Sequence, residues 1–120
     1  MVGSYLNNYT EVVISDIIVP EKFKSSRAGF SPDHHEINKK LLEVDKKFDG
    51  KIEYLGDWHT HPDNSNHYST PDLNSIRDVA MAKTVNTHNP LLLIVAFSKD
   101  YFEPGFYVYF KEKVLKYTPV

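Results

Sequence analysis

Two histidines two residues apart, a proline directly after them and a Ser-x-x-Asp one short loop later constrain this chain more than any other feature. The string is Asp57-Trp58-His59-Thr60-His61-Pro62, followed by Ser69-Thr70-Pro71-Asp72. In an extended chain side chains alternate, so Leu55, Asp57, His59 and His61 share one side and Ile52, Tyr54, Gly56 and Trp58 take the other. The two imidazoles then stand about two strand rises apart on one face, which suits two ligands on one ion with ~2.0–2.1 Å zinc–nitrogen bonds. Pro62 has no N–H to give to a ladder and ends the strand. The loop at 63–68 is polar and without periodicity.

A helix is predicted to begin next, with Thr70 as N-cap, Pro71 at the first helical position and Asp72 at the second. Free backbone amides there favour the ionised carboxylate, which is the form a metal ligand must take. Ser69, just before the cap, is close enough to aim its hydroxyl at the same ion. Three ligands, His59, His61 and Asp72, leave a fourth position open, which is the pattern of catalytic zinc and not of closed structural zinc. A lone His-x-His is common and means little. The whole string is far more specific.

The string resembles the zinc signature of the JAB/MPN (JAMM) metallopeptidase family, and the likeness extends to the small Gly56 ahead of it and to the apolar helix after it. The resemblance implies that His59, His61 and Asp72 bind Zn2+ and that Ser69 steadies an oxyanion. A glutamate on an earlier strand is the family's general base. The implied fold is α/β (α+β), a mixed curved sheet with flanking helices of the cytidine-deaminase-like kind. The implied activity is hydrolysis of peptide or isopeptide bonds, often beside ubiquitin or ubiquitin-like proteins. Bacterial relatives process small sulfur-carrier proteins or cell-wall peptides, and some members are inactive scaffolds. The family's glutamate sits in a Glu-(Ser/Thr)-Gly-Gly segment after an N-terminal helix. Met1-Val2-Gly3 resembles the tail of that segment, so the resemblance runs from Val2 onward and supplies no counterpart for the helix or the base. Residues 1–120 are read as one such domain, N-terminally truncated relative to the family.

Composition excludes several functions. Fourteen basic residues against sixteen acidic ones, a net charge of -2, give no footprint for nucleic acid or an anionic membrane. With no cysteine there is neither a disulfide framework nor a thiolate site. No apolar run approaches the ~20 residues of a membrane span and no signal peptide is apparent, so a cytoplasmic protein is expected.

Along the chain, Asn7-Asn8 within residues 5–9 marks a hairpin turn. Residues 10–19 read as one β-branched strand, bulged at Ser15-Asp16 and stopped by Pro20. Residues 21–30 read as irregular, with a modest basic patch at Lys22, Lys24 and Arg27. Ser31-Pro32-Asp33 then reads as cap, first-turn proline and first-turn acid of a helix carrying Ile37, Leu41, Val44 and Phe48, which Asp49-Gly50 stops. His34 and His35 fall in its first turn as surface residues. Leu73, Ile76, Val79 and Ala80 trace the buried stripe of the second helix through Lys83-Thr84, and residues 86–90 end it. The unbroken apolar run at 91–97 is a central strand, 98–105 a turn region and 106–114 the last strand.

No glutamate in the chain presents itself as the base. Glu11 reads as an exposed strand residue. Glu53 shares a face with His59 but lies roughly 20 Å away along a strand, beyond the ~2.6–3.2 Å a base requires. Glu103 sits in the turn region. Asp57 is a candidate partner for an imidazole, and His67 a spare ligand. The expected function is a zinc-dependent peptidase or isopeptidase acting on a protein or peptide substrate, with ubiquitin-like proteins among the classes the resemblance allows. Three explanations of the missing base stay open: a glutamate borrowed from a neighbouring subunit, a truncation, or a chain that is no enzyme. The rival is a binding or scaffold module that keeps zinc without hydrolysis. A cupin barrel also uses His-x-His, but helix-borne Asp72 argues against it. The C-terminal aromatics (Tyr101, Phe102, Phe106, Tyr107, Tyr109, Phe110) read as a strand packed on both faces or, alternatively, as an association surface, and an unpaired sheet edge predicts a homodimer.

Overall fold

Asn7, Asn8 and Tyr9 all take positive φ (50°, 54° and 68°), which turns the chain back on itself and starts the fold with an antiparallel hairpin. The computed structural model describes residues 1–26, 29–61, 65–82 and 89–119. These residues form nine strands and two helices in two compact units, Met1–Tyr54 and Leu55–Val120, an α+β architecture with a mixed sheet.

In the first unit β1 (Val2–Leu6) lies between β2 (Glu11–Asp16) and the short β5 (Glu53–Tyr54), both antiparallel to it. Val2 pairs Asp16 while Gly3 pairs Ile14, so Ser15 is the extra residue of a bulge, at the pair where the sequence places it. The strand stops at Asp16, whose Oδ1 accepts the Ile17 N–H at 2.8 Å, and does not continue to residue 19. Residues 21–30 are not irregular as expected: β3 (Phe23–Ser26) and β4 (Gly29–Pro32) make a two-stranded ribbon. Arg27 and the side chain of Lys24, two members of the expected basic patch, lie outside the described residues.

Helix α1 (His34–Lys47) is capped two residues later than expected, because Pro32 belongs to β4 and Asp33 is the N-cap, accepting the Glu36 N–H at 3.1 Å. Phe48, Asp49 and Gly50 end it, with Asp49 and Gly50 in the left-handed region. His34 and His35 are exposed. Glu36 ties the helix to the preceding segment. Its carboxylate accepts the backbone N–H groups of Glu21 at 2.5 Å and Lys22 at 3.0 Å, and Lys40 Nζ stands 3.7 Å from it while donating to the Val19 carbonyl at 2.9 Å. The Glu36 side chain is only 12% exposed. Hydrogen bonds to a charged group contribute ~1.5–3 kcal/mol, so Glu36→Ala is expected to cost about 2 kcal/mol, read as a lower denaturant midpoint.

In the second unit β6 (Gly56–His61) runs parallel to β7 (Leu91–Ser98), with α2 (Thr70–Met81) between them in sequence. β8 (Tyr101–Phe110) and β9 (Lys113–Tyr117) continue the sheet antiparallel, giving the order β6-β7-β8-β9. The apolar run from Leu91 is the central strand expected, buried from Leu91 to Ile94. Two expectations fail here. The turn is only Lys99-Asp100, and Pro104-Gly105 lie inside β8, where Pro104 is tolerated because β9 pairs no further than Phe106. The last strand is also two strands, since Lys111 and Glu112 turn the chain at φ 50° and 63°.

Ile76 of α2 packs on Leu92, Ile94 and Tyr107 of the sheet, with Tyr68, Leu73, Tyr109 and Val114 around them. Each fully buried aliphatic side chain contributes ~1.5–3 kcal/mol, so this cluster is what holds α2 to the strands. α2 stops at Met81, with Ala82 as an extended C-cap (φ -68°, ψ 126°), and so ends before the Lys83-Thr84 expected from the sequence. Pro62 and residues 83–88 lie outside the described residues. No helix among the described residues is long and apolar enough to cross a membrane.

Candidate metal centre

The strand that carries the histidines is not continuous with Glu53. The ladder breaks at Leu55, and Gly56, at φ 153°, begins β6 beside Leu91. From there the alternation holds: Asp57, His59 and His61 pair with Leu92, Ile94 and Ala96, the residues of β7 that share a face with the α2 core. His59 and His61 therefore point to the side of the sheet where α2 begins.

The helix start differs by one residue from the sequence expectation. Ser69, not Thr70, is the N-cap, which moves Pro71 and Asp72 one position further in and makes Asp72 the third helical residue. The cap is reciprocal: Asp72 N–H donates to Ser69 Oγ at 3.3 Å, and Ser69 N–H donates to Asp72 Oδ2 at 2.8 Å. This capping box fixes the Asp72 carboxylate at the helix mouth, facing the imidazoles. His59 Nε2 lies 2.9 Å from Oδ1, His61 Nε2 lies 3.2 Å from Oδ2, and the two Nε2 atoms are 3.2 Å apart. A tetrahedral ion with ~2.0–2.1 Å bonds has ligand atoms ~3.3 Å from one another, so the three donors already stand at a metal-sized spacing. Among the described residues they are the group whose ligand atoms all fall within 4.8 Å of one another.

The electrostatics suit a cation. Burial is the largest influence on His59 and lowers its pKa below 6.5, against the pull of the Asp72 charge and with the push of His61. Burial alone would raise Asp72, but hydrogen bonds from the Ser69 backbone and hydroxyl, with the two imidazoles, bring it below 3.8. The donor set is thus a neutral imidazole beside a carboxylate, as a metal requires. Both shifts make the metal-free protein bind fewer protons folded than unfolded. The His59 contribution is full above pH 6.5 and lost as pH falls through the lowered folded value, and Asp72 repeats this below pH 3.8. Thermal melts of metal-free protein should therefore show stability declining below pH 6.5. That upper step should disappear in His59→Gln.

The remaining candidates fall outside the cluster. His67 is exposed, stacks on Tyr68 with ring centroids 4.5 Å apart and places Nδ1 2.8 Å from the Tyr68 carbonyl. Asp57 is exposed, and its charge raises the His59 pKa. Glu103 is in β8, not in a turn; it pairs with Ala96, the partner of His61, yet the ligand cluster does not include it. Sequence reading missed a contact of His61 itself: its Nδ1 lies 3.2 Å from the Ser65 carbonyl. No pattern marks a backbone acceptor inside a polar loop.

Compared with known protein families, residues 1–105 match the one described as prokaryotic homologs of the JAB domain. No curated protein matches the chain.

Proposed function

The chain belongs to the family of prokaryotic homologs of the JAB domain, and from that premise we propose that it is a zinc-dependent peptidase or isopeptidase. The observation that carries this reading is the convergence of His59, His61 and Asp72. These three residues would hold Zn2+, which when bound polarises a scissile carbonyl and activates water as a nucleophile. Ser69, whose Oγ accepts the Asp72 N–H at the helix start, is assigned to the oxyanion that develops beside the ion.

The base is assigned to a second copy of the chain. Among the described residues no glutamate joins the cluster, and general-base catalysis contributes ~10²–10⁴-fold. A homodimer in which the neighbour supplies a glutamate meets that need. The same observation favours a second reading, a protein-binding module that retains zinc without hydrolysing anything.

The test is cleavage of a ubiquitin-like protein bearing a C-terminal extension, and of an isopeptide-linked conjugate, by zinc-loaded protein over a range of protein concentrations. Chelator-sensitive cleavage, rising more than proportionally with concentration, is expected. Ser69→Ala should slow it ~10²–10³-fold through the lost oxyanion donor. Zinc binding with no cleavage at any concentration would assign the chain to the binding-module reading.

A further inference from the structure

After β6 the chain returns to the sheet before capping α2, and the way it is held there reaches a ligand. The Tyr107 hydroxyl donates to the Asn66 carbonyl at 2.7 Å, and Asn66 Nδ2 donates to the Pro104 carbonyl at 3.3 Å. Beneath this loop lies Gly105, where a Cβ would stand 2.9 Å from the Asn66 carbonyl oxygen and 3.2 Å from its side chain. One residue earlier the Ser65 carbonyl faces His61 Nδ1 at 3.2 Å, while His61 Nε2 faces Asp72. With Nε2 turned to a cation, Nδ1 carries the proton and Ser65 is its acceptor, the kind of contact that fixes the tautomer and plane of a ligating imidazole.

We propose that Tyr107 and Gly105 are positioning residues for the metal centre, clamping Asn66 so that the Ser65 carbonyl orients His61. The ring of Tyr107 belongs to the α2 core, where it is 3% exposed. Its hydroxyl does separate work: it pins one peptide of a loop that has no periodic ladder of its own. Gly105 is required because any side chain would push the same carbonyl away from the sheet. The ligand His61 is thus aligned from β8, two strands away in the sheet order.

This inference rests on the metal-centre reading, and the experiment separates the two. Zinc affinity is measured by chelator competition for wild type, Tyr107→Phe, Gly105→Ala and Tyr109→Phe, with circular dichroism of the metal-free proteins and visible spectra of the cobalt-substituted ones. Loss of a contact behind a ligand weakens metal binding ~10–100-fold, and that loss is expected in Tyr107→Phe and Gly105→Ala, with altered cobalt bands and intact fold. Tyr109→Phe, which alters the same core, should keep wild-type affinity. Wild-type affinity in both clamp variants overturns the proposal, as does an equal loss in Tyr109→Phe or the unfolding of both. If only one clamp variant folds, its affinity decides. A wild-type protein that binds no zinc sinks the metal-centre reading itself, an outcome distinct from zinc binding that the clamp variants leave unchanged.

Discussion

His59→Ala is expected to abolish zinc binding by a protein that otherwise takes up about one ion per chain. The wild-type site offers three donors 2.9–3.2 Å apart, one of them an imidazole that burial keeps neutral. Removing it leaves His61 and Asp72, too few to compete with water for an ion that prefers four ligands. The loss should exceed the ~10–100-fold that follows from disturbing a contact behind a ligand. His61→Ala and Asp72→Ala should match it, and Asp72→Ala should also lose the capping box of α2. Elemental analysis gives the stoichiometry, and thermal melts give an independent reading. Zinc at 100 times its Kd stabilises a folded protein by ~2.7 kcal/mol, so wild type should melt higher with zinc and His59→Ala should not respond. A wild-type protein that stays metal-free in excess zinc at neutral pH, or a variant that keeps its zinc, would show the cluster to be a pair of histidines hydrogen-bonded to a helix cap.

The cluster was legible in sequence because each part obeys a local rule. Period-two alternation put His59 and His61 on one face, and helix-start chemistry put Asp72 beside them. The cap was misplaced by one residue because Ser69 and Thr70 are both good caps, and only the reciprocal bond from the Ser69 backbone to Asp72 distinguishes them. Where local rules are silent the reading failed. The β3–β4 ribbon, with Lys24, Ser25, Ser26 and Ser31 in its strands, carries no apolar alternation. The β8–β9 turn uses Lys111-Glu112 at positive φ with neither glycine nor asparagine, so nothing in the sequence marks it. Pro104-Gly105 imitates a turn because composition does not record that β9 stops short of it. These are tertiary facts. The break at Leu55 is another, since it depends on which strand each half of the segment finds.

That break is where a single methyl group does the most damage. Gly56→Ala is expected to destabilise the protein by roughly 3–5 kcal/mol, near the upper end for one substitution, and to empty the metal site with it. Gly56 is at φ 153°, where an L side chain costs ~1–3 kcal/mol in strain. The space is worse than the angle. A Cβ would come within 2.7 Å of the Leu91 carbonyl carbon and nitrogen and would overlap its oxygen. All three are backbone atoms, so no rotamer change relieves the clash. Leu91 is 1% exposed and donates its N–H to the Leu55 carbonyl at 2.7 Å, which leaves the residue no room to retreat. β6 would have to lift from β7 at its first pair, and the pairing is continuous from Gly56–Leu91 to His61–Ala96. His59 and His61 would move with it while Asp72 stays on α2. Gly50→Ala is the proper comparison. It also sits at positive φ, but its Cβ would meet only Asp45 Oδ1 at 3.9 Å, so its cost should stay near 1 kcal/mol. Denaturant unfolding of the two variants side by side separates the close approach at Gly56 from backbone strain alone. Equal losses would mean that β6 accommodates the methyl, and that the register joining the histidines to α2 is softer than its buried pairing requires.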